Sequence, residues 1–148
     1  MSENIFSIVI PTCQRHDTLK YSIQSVINQT YKEFELVIMD NFSSLETAEV
    51  VVAFADDRIK YFRAPERLSM SENWELGLSY ATGEYIFVLG DDDALMPDGL
   101  ELCLKLIKEY HVKIVSWLRY SYGWPNAIVP WVRNRLYLNF SQVTEVWN

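Results

Sequence analysis

Three shortages in this 148-residue sequence exclude whole classes of protein. Its two cysteines, Cys13 and Cys103, are too few for a disulfide framework or a zinc cluster. Its five glycines form neither a Gly-x-Gly-x-x-Gly nor a Gly-x-x-x-x-Gly-Lys pattern, so no glycine-rich loop is available to hold phosphate at a helix N-terminus. Its apolar runs are too short to span a bilayer and its first residues do not resemble a signal peptide, which predicts a cytoplasmic protein.

Basic residues are also scarce, with 13 lysines and arginines against 20 acidic residues and a net charge of -7. The sequence has no basic cluster that could follow a nucleic-acid backbone, so nucleic acid is excluded as a partner. Neither histidine, His16 nor His111, is spaced as a zinc ligand. The length and the ordinary hydrophobic content of 49% predict a single domain over residues 1–148.

Short apolar runs alternate with segments of helical periodicity along most of the chain. This alternation predicts a doubly wound α/β domain, with a mostly parallel sheet and helices on both faces. The strands are predicted at residues 7–10, 34–39, 58–62, 85–89 and about 112–117. The four helices between them are expected to bury Leu19, Ile23, Val26 and Ile27; Leu45, Ala48, Val52 and Ala55; Met70, Trp74, Leu78 and Ala81; and Leu100, Leu104 and Ile107, respectively.

The ends of these elements are marked by residues with known end preferences. Pro11 cannot donate to a sheet ladder and is expected to end the first strand. The expected helix boundaries are Asp17 at the start of the first helix, capping boxes of Ser43 with Glu46 and of Ser69 with Glu72 for the second and third, Gly83 after the third, and Pro97 at the start of the fourth.

A run of three acids, Asp91, Asp92 and Asp93, directly follows the fourth predicted strand. That strand has no polar alternation and is expected to be buried on both faces. Neighbouring carboxylates make one another harder to ionise unless a cation, hydrogen-bond donors or water compensate. Mg²⁺ and Mn²⁺ take oxygen ligands, so the acids indicate a site for a metal ion and a diphosphate. The alternative is a solvated turn before the fourth helix, where acids are favoured in any case.

Three segments of the chain follow strand ends, namely residues 12–15, the pair Asp40 and Asn41, and residues 91–93. Ligands of doubly wound sheets bind beyond the carboxyl ends of the strands, near the point where the strand order reverses. We therefore expect these segments to meet in one crevice, although they are far apart along the chain.

Several stretches resemble motifs of the family 2 glycosyltransferases, which have the GT-A fold. Residues 7–15, Ser-Ile-Val-Ile-Pro-Thr-Cys-Gln-Arg, resemble the opening Ser-x-Val-Ile-Pro-Thr-Tyr-Asn-Arg of that family. Residues 35–44 are similar to its second-strand pattern, which ends in Asp-(Asp/Asn)-x-Ser. Asn73, residues 81–86 and the acids after them resemble the stretch around its Asp-x-Asp motif. The resemblance covers about residues 5–110.

The resemblance implies an inverting transferase that moves a sugar from a nucleotide-diphospho-sugar to a hydroxyl of a glycan or of a lipid-linked acceptor. It also implies a Mg²⁺ or Mn²⁺ ion on the diphosphate. The aromatic and basic tail after Trp117 would suit a membrane surface that presents a lipid-linked acceptor, at its cytoplasmic face. Asp40 would accept a hydrogen bond from the base, and Asp91 would reach the ribose or a metal-bound water. The residues that the resemblance assigns are Pro11, Thr12, Arg15, Asp40, Asn41, Arg67 and Asp91 for the nucleotide, and Asp92 and Asp93 for the metal.

One position departs from the family's pattern, because Gly90 stands where many members have the first Asp of Asp-x-Asp-Asp. If the strand continued through the acids, Asp91 and Asp93 would point to one side and Asp92 to the other. A turn at Gly90 would remove this constraint. On sequence alone, the roles of the individual acids stay open.

A transferase of this kind also needs a carboxylate base, which in the family lies well beyond the metal motif. After Trp117 the only acid is Glu145, so either Glu145 is the base or the base lies outside this sequence. We favour the second interpretation, in which residues 1–148 are the nucleotide-binding part of a longer enzyme and the tail 119–148 is an incomplete acceptor side.

Residues 117–133 are rich in aromatic and basic side chains, which suit stacking on a sugar ring, a membrane interface, or the exposed edge of a core. Three other functions stay open: a non-catalytic nucleotide-sugar-binding module, a receiver-like domain and a phosphatase of the haloacid dehalogenase type. The last two are disfavoured because their acids should follow the first strand, where this chain has Pro11 and Thr12.

Overall fold

The computed structural model of the protein describes residues 5–116, 120–122 and 136–138. The chain divides into two compact units, one ending at Leu102 and the other beginning at Cys103. None of the described helices combines the length and the apolar character that a bilayer crossing requires. The elements in chain order are β1 (Phe6–Thr12), α1 (His16–Ile27), β2 (Phe34–Asp40), α2 (Leu45–Val52), β3 (Ile59–Arg63), α3 (Met70–Ser79), β4 (Tyr85–Val88), α4 (Gly99–Tyr110), β5 (Tyr120–Tyr122) and β6 (Leu136–Leu138).

The first unit is built on four parallel strands in the order β3-β2-β1-β4. After β3 the chain crosses back over the sheet to β4, so the direction of winding reverses at β1. Right-handed crossovers place α1 and α2 on one face and α3 on the other, which confirms the predicted doubly wound α/β fold. The carboxyl ends of β1 and β4 therefore flank the point where the strand order reverses, and ligands of such sheets bind there.

The core of this unit lies around β1 and β2, whose residues are buried throughout. Leu19, Ile23 and Val26 of α1 are buried, as predicted. The prediction for β4 is wrong, because Ile86 is 51% exposed and Val88 is also exposed. β4 is one of the two edge strands of this sheet, and α3 packs on β1 and β2. An unbroken apolar run therefore does not prove burial on both faces.

The inward face predicted for α2 is also wrong. The helix buries Thr47 and Val51, whereas Leu45 and Val52 are each 72% exposed. Apolar residues occur almost all round this eight-residue helix, so its sequence does not define one inward stripe.

The helix α3 buries Asn73 and Gly77, while Met70 and Trp74 are exposed, against the prediction. The reason is the close approach of α3 to the sheet, since a Cβ atom on Gly77 would lie only 3.0 Å from Met39 Cβ. Asn73 Nδ2 donates to the carbonyl of Met39 at 3.2 Å. Small and polar residues therefore face the sheet, and the large apolar residues lie outside.

Capping side chains behave differently at α2 and α3. The capping box of α3 is confirmed, because the Ser69 side chain accepts from the Glu72 N–H and the Glu72 side chain accepts from the Ser69 N–H. The N-cap of α2 is Ser44 rather than Ser43. Ser43 is engaged elsewhere, since its Oγ accepts a hydrogen bond from the backbone N–H of Gln14 at 2.9 Å.

Three other predicted boundaries shift by a few residues. The N-cap of α1 is Arg15, and Asp17 lies in the first turn, where an acid still favours the positive helix end. α4 begins two residues after Pro97. α3 ends with Tyr80 as its C-cap, so Gly83 is not the residue that terminates the helix.

The strand β1 does not end at Pro11 but continues to Thr12. Alternate residues of a strand direct their backbone groups to the same neighbour, and the carbonyl of Val9 accepts from the Leu89 N–H on the β4 side. The missing N–H of Pro11 therefore faces the same side, beyond the last β1–β4 pair of Val9 with Val88. The proline costs no ladder hydrogen bond at that position.

The fifth strand predicted at about 112–117 is wrong over residues 112–116, which are not in a strand. Ile114 is 69% exposed, so this apolar run is not a core strand. The second unit contains instead the short antiparallel pair of β5 and β6. The single domain predicted over the whole chain stays a prediction.

Candidate functional site

The carboxyl ends of β1, β2 and β4 bring the predicted loops to one edge of the sheet. Thr12 at the end of β1 pairs with Asp40 at the end of β2, and the Asn41 N–H donates to the carbonyl of Thr12 at 2.9 Å. On the other side, Thr12 Oγ1 donates to Asp91 Oδ2 at 2.8 Å. Thr12 therefore spans the point where the strand order reverses, and the predicted convergence of the three loops is confirmed.

Asp91 is the buried member of the acid run. Its carboxylate accepts from Thr12 Oγ1 and, at 3.4 Å, from Arg15 Nη1. Burial raises the pKa of Asp91 above its ordinary value, and the charge of Asp92 adds to the increase, while Thr12 and Arg15 oppose it. The side chain is thus held in one orientation between the ends of β1 and β4.

Arg15 links the loop after β1 to the acids after β4. Its Nη1 donates to Asp92 Oδ2 at 2.5 Å and lies 3.4 Å from Asp91 Oδ1. The hydrogen bond to Asp92 and the charges of both acids raise the pKa of Arg15 above its ordinary value. The side chains of Arg15 and Asp92 are 54% and 49% exposed, so this ion pair is in contact with solvent.

A turn at Gly90 decides how the last two acids point. β4 ends at Val88, and the Asp93 N–H donates to the carbonyl of Gly90 at 3.1 Å, which closes a four-residue turn. A Cβ atom on Gly90 would lie 2.7 Å from Asp93 Oδ2 and 3.1 Å from Asp92 Oδ1. Strand alternation therefore does not apply here, and the carboxylates of Asp92 and Asp93 both fold back over Gly90.

The two carboxylates at Gly90 fit the requirements of a small divalent ion. They are hard oxygen donors that converge on the space left by the missing Cβ of Gly90. Within residues 5–116, no group of three or more His, Cys, Asp and Glu side chains has the geometry of a complete metal site. An ion that takes one or two protein carboxylates and completes its shell with phosphate oxygens and water does not need a third.

Polar side chains on and just after α1 hold the backbone of the acid loop, which comprises residues 90–96. Ser22 Oγ donates to the carbonyl of Asp93 at 2.7 Å, and Ser25 Oγ accepts from the Leu95 N–H at 3.1 Å. Just after the helix, the buried Gln29 donates through Nε2 to the carbonyl of Met96 at 2.7 Å. None of these three residues was predicted to belong to the site, although polar side chains beside the apolar stripe of α1 were an available signal.

Asp40 is fully buried, and hydrogen bonds from the protein reach both its carboxylate oxygens. Oδ1 accepts from the Ser43 N–H at 3.0 Å, and Oδ2 accepts from Tyr61 Oη at 2.6 Å. Arg63 Nε lies 3.7 Å from Oδ2. Asp40 therefore joins the carboxyl ends of β2 and β3, and its predicted contact with a nucleotide base stays a prediction.

Asn41 holds the loop that carries Arg67. Its Nδ2 donates to the carbonyl of Leu68 at 2.9 Å, and its Oδ1 accepts from the Leu68 N–H at 2.8 Å. Arg67, the preceding residue, is exposed on this loop, whereas Pro11 is buried in β1. The nucleotide contacts predicted for these three residues stay predictions.

The predicted catalytic base and most of the aromatic tail lie outside the residues that the structure describes. Glu145 lies outside the described residues. So does the segment 117–133, except for the strand β5.

Comparison with known proteins gives a family match over nearly the whole chain. Residues 7–147 match the sequence profile of the family described as Glycosyl transferase family 2. A GalNAc(5)-diNAcBac-PP-undecaprenol beta-1,3-glucosyltransferase of Campylobacter jejuni is 33% identical over 111 residues, which are 73% of this chain and 36% of that protein. The Escherichia coli protein WfgD, a UDP-Glc:alpha-D-GlcNAc-diphosphoundecaprenol beta-1,3-glucosyltransferase, is 30% identical over 115 residues, which are 78% of this chain and 46% of that protein.

A solved structure with the same fold is the mannosyltransferase PcManGT of Pyrobaculum calidifontis, in complex with GDP-Man and Mn²⁺. The TM-score is 0.65 at 19% identity, and the match covers 76% of this chain and 34% of that one. The chain thus spans between a third and a half of the length of these three proteins.

Proposed function

The chain belongs to glycosyl transferase family 2, and we propose that it binds a nucleotide-diphospho-sugar and transfers the sugar, with inversion, to a hydroxyl of a glycan or lipid-linked acceptor. One observation carries this proposal: at the point where the strand order reverses, Thr12 holds Asp91, and Asp92 and Asp93 converge beside it at Gly90. This arrangement offers a carboxylate for a ribose hydroxyl and two more for a cation on the diphosphate.

A Mg²⁺ or Mn²⁺ ion is the proposed cofactor, with Asp92 and Asp93 as its protein ligands. When bound, such an ion neutralises the charge that develops on the nucleoside diphosphate as it leaves the sugar. The proposal is supported by the oxygen donors at Gly90 and by the similar fold of PcManGT, which was solved with GDP-Man and Mn²⁺. Asp91, held by Thr12, is left to orient the ribose, and Pro11, Arg15, Asp40, Asn41 and Arg67 complete the proposed nucleotide pocket.

The acceptor is proposed to be lipid-linked, with the protein acting at the cytoplasmic face of a membrane. The support is that the names of both relatives specify sugars on undecaprenol diphosphate. For the general base, we favour a carboxylate outside this sequence over Glu145, because the chain spans only 36% and 46% of those relatives. On this proposal, residues 1–148 act as a nucleotide-binding part that needs further residues for efficient transfer.

Replacing Asp92 or Asp93 by asparagine tests the metal and the donor together. We expect Mn²⁺ to raise the affinity of the wild type for a nucleoside diphosphate, and this gain to fall by about tenfold in each variant because a charged oxygen ligand is lost. The measurement is a calorimetric titration with UDP, GDP and dTDP, each with and without Mn²⁺.

The matched control for these variants is Asp98→Asn, which removes an exposed carboxylate from the segment that follows the acid loop. It should retain the wild-type gain. If Asp92→Asn and Asp93→Asn both retained the full Mn²⁺-dependent gain, the proposed metal ligands would be wrong. A receiver or a phosphatase should show no preference for a nucleoside diphosphate with metal, and a non-catalytic binding module would bind the donor without transferring sugar at any chain length.

Gly90→Ala is expected to weaken the metal site without unfolding the protein. The new Cβ would lie 2.7 Å from Asp93 Oδ2 and 3.1 Å from Asp92 Oδ1, so both carboxylates must move away. They are the ends of exposed side chains, and the pair of Asp92 with Arg15 is in contact with solvent, so the free energy of unfolding should change by less than about 1 kcal/mol. The Mn²⁺-dependent gain in nucleotide affinity should fall by about tenfold. Urea unfolding and the same titration measure the two effects, and an unchanged gain would contradict the convergence of both carboxylates on one ion.

A further inference from the structure

We propose that Arg15 occupies the acid loop as a built-in cation in the donor-free protein, so that a divalent ion binds tightly only when an anionic donor draws the guanidinium away. This inference rests on the proposed function, because it takes Asp92 and Asp93 as the ligands of the ion. It adds a competing role for Arg15 to the pocket-lining role that the family resemblance implies.

The contacts of Asp92 show why the two cations compete. Asp92 Oδ2 accepts a hydrogen bond from Arg15 Nη1 at 2.5 Å, while the other oxygen, Oδ1, faces the space beside Gly90. Arg15 also lies 3.4 Å from Asp91 Oδ1. The arginine and an ion at Gly90 would therefore share one carboxylate and lie only a few ångströms apart.

Electrostatics at this distance weakens the binding of the ion. A guanidinium neutralises part of the charge that attracts the ion, and two cations about 4 to 5 Å apart repel each other even near solvent. Arg15 remains charged throughout the accessible pH range, so the competition does not depend on a titration. The donor-free protein should consequently bind Mn²⁺ more weakly than the same three acids would bind it without Arg15.

Exchange of the two cations requires only that one side chain moves. Ser22 and Ser25 of α1 hold the backbone of the acid loop at Asp93 and Leu95, so the loop itself is fastened. The side chain of Arg15 is 54% exposed and carries several rotatable bonds. The guanidinium can leave Asp92 without any rearrangement of the loop.

A nucleoside diphosphate offers the departing guanidinium a new partner. Arginine forms strong, often bidentate hydrogen bonds with phosphate oxygens. Arg15 is the N-cap of α1, where the backbone N–H groups also favour an anion. Binding of the diphosphate then frees Asp92 for the ion, and by thermodynamic reciprocity the ion favours binding of the diphosphate to the same extent.

The test is the affinity for Mn²⁺ alone, followed by electron paramagnetic resonance of the free ion, in the wild type, Arg15→Ala and Lys20→Ala. Arg15→Ala should bind Mn²⁺ about tenfold more tightly than the wild type. Lys20→Ala is the matched control, because it removes the same charge from α1 while its ammonium lies over the ring of Tyr21 at 4.9 Å. It should bind Mn²⁺ as the wild type does.

A second titration in the presence of saturating UDP, GDP or dTDP measures the coupling. The factor by which the nucleotide raises the Mn²⁺ affinity should be smaller in Arg15→Ala than in the wild type. Equal Mn²⁺ affinities of Arg15→Ala and Lys20→Ala without nucleotide would overturn the competing role of Arg15, even if the wild type binds Mn²⁺ with nucleotide in an Asp92-dependent way. If no nucleotide induces Asp92-dependent Mn²⁺ binding in the wild type, the proposed function itself is what fails.

Discussion

Replacing Glu35 by glutamine is expected to lower the free energy of unfolding at pH 7 by about 3 kcal/mol. Glu35 lies in β2 and is fully buried, at the end of the sheet opposite to the acid loop. A buried carboxylate is tolerated only when it is paired and hydrogen-bonded. The expected loss is large because glutamine keeps the shape of the side chain but removes the charge.

The Glu35 carboxylate on β2 joins β1, β3 and the segment before β4. Oε1 accepts from Ser7 Oγ on β1 and, at 2.6 Å, from the N–H of Thr82, just before β4. Oε2 accepts from Lys60 Nζ on β3. In glutamine, one of these oxygens becomes an NH₂ group that faces donors. The variant therefore loses an ion pair and places donors against one another.

The pH dependence of stability gives a sharper measurement of the same network. Burial alone would raise the pKa of Glu35, but the hydrogen bonds from Lys60, Ser7 and Thr82 outweigh it and lower the pKa from 4.5 to about 2. A carboxyl group whose pKa is lower in the folded state stabilises the fold above its unfolded pKa. The contribution should be complete above about pH 5 and should disappear as the pH falls towards 2.

Urea unfolding from pH 7 to pH 2 of the wild type and of Glu35→Gln measures this contribution. The difference in free energy of unfolding should be about 3 kcal/mol at pH 7 and should close towards pH 2. Glu75→Gln, which changes an exposed glutamate on α3, should follow the wild-type curve. If the difference between the wild type and Glu35→Gln stayed constant across this range, the ionised Glu35 carboxylate would not stabilise the fold through this network.

The order of the elements and the convergence of the loops could be predicted because they follow from local patterns and general topology. Apolar periodicity indicates each strand and helix up to α4, and parallel strands bring their carboxyl ends to one edge. Thr12, Asp40 and Asp91 meet for this reason. The buried face of α2 could not be predicted, because apolar residues occur almost all round that helix. The buried face of α3 could not be predicted either, because Gly77 and Asn73 pack on the sheet in place of the large apolar side chains.

The contacts that organise the site depend on side chains distant in sequence, and no periodic pattern reveals them. The ion pair of Arg15 with Asp92 joins residues 77 positions apart, and Glu35 meets Thr82 across 47. Such contacts are set by the tertiary fold. The turn at Gly90 is local, but it was one of two options that the sequence left open, and it places the carboxylates of Asp92 and Asp93 near each other.

Gly83→Ala is expected to cost about 3 kcal/mol or more of folding free energy, a loss at the upper end of the range for overpacking. A Cβ atom on Gly83 would lie 2.7 Å from the backbone nitrogen of Ser7 and 2.8 Å from the carbonyl carbon of Phe6. Both atoms belong to β1, which is paired on both sides and cannot move alone. Gly83 also donates through its N–H to Ser7 Oγ at 2.7 Å, so a shift would disturb the Glu35 network.

Gly83 and Gly90 lie before and after β4, and alanine at the two positions would crowd different kinds of atom. The nearest atoms to a Cβ are backbone atoms of a central strand at Gly83 and ends of exposed carboxylates at Gly90. We therefore expect Gly83→Ala to lower the thermal midpoint by more than about 10 °C while Gly90→Ala changes it little. Circular dichroism melts of both variants measure this difference. Equal midpoints would mean that the segment before β4 moves away from β1 at little cost. The hydrogen bond from the Gly83 N–H to Ser7 Oγ would then contribute little to stability.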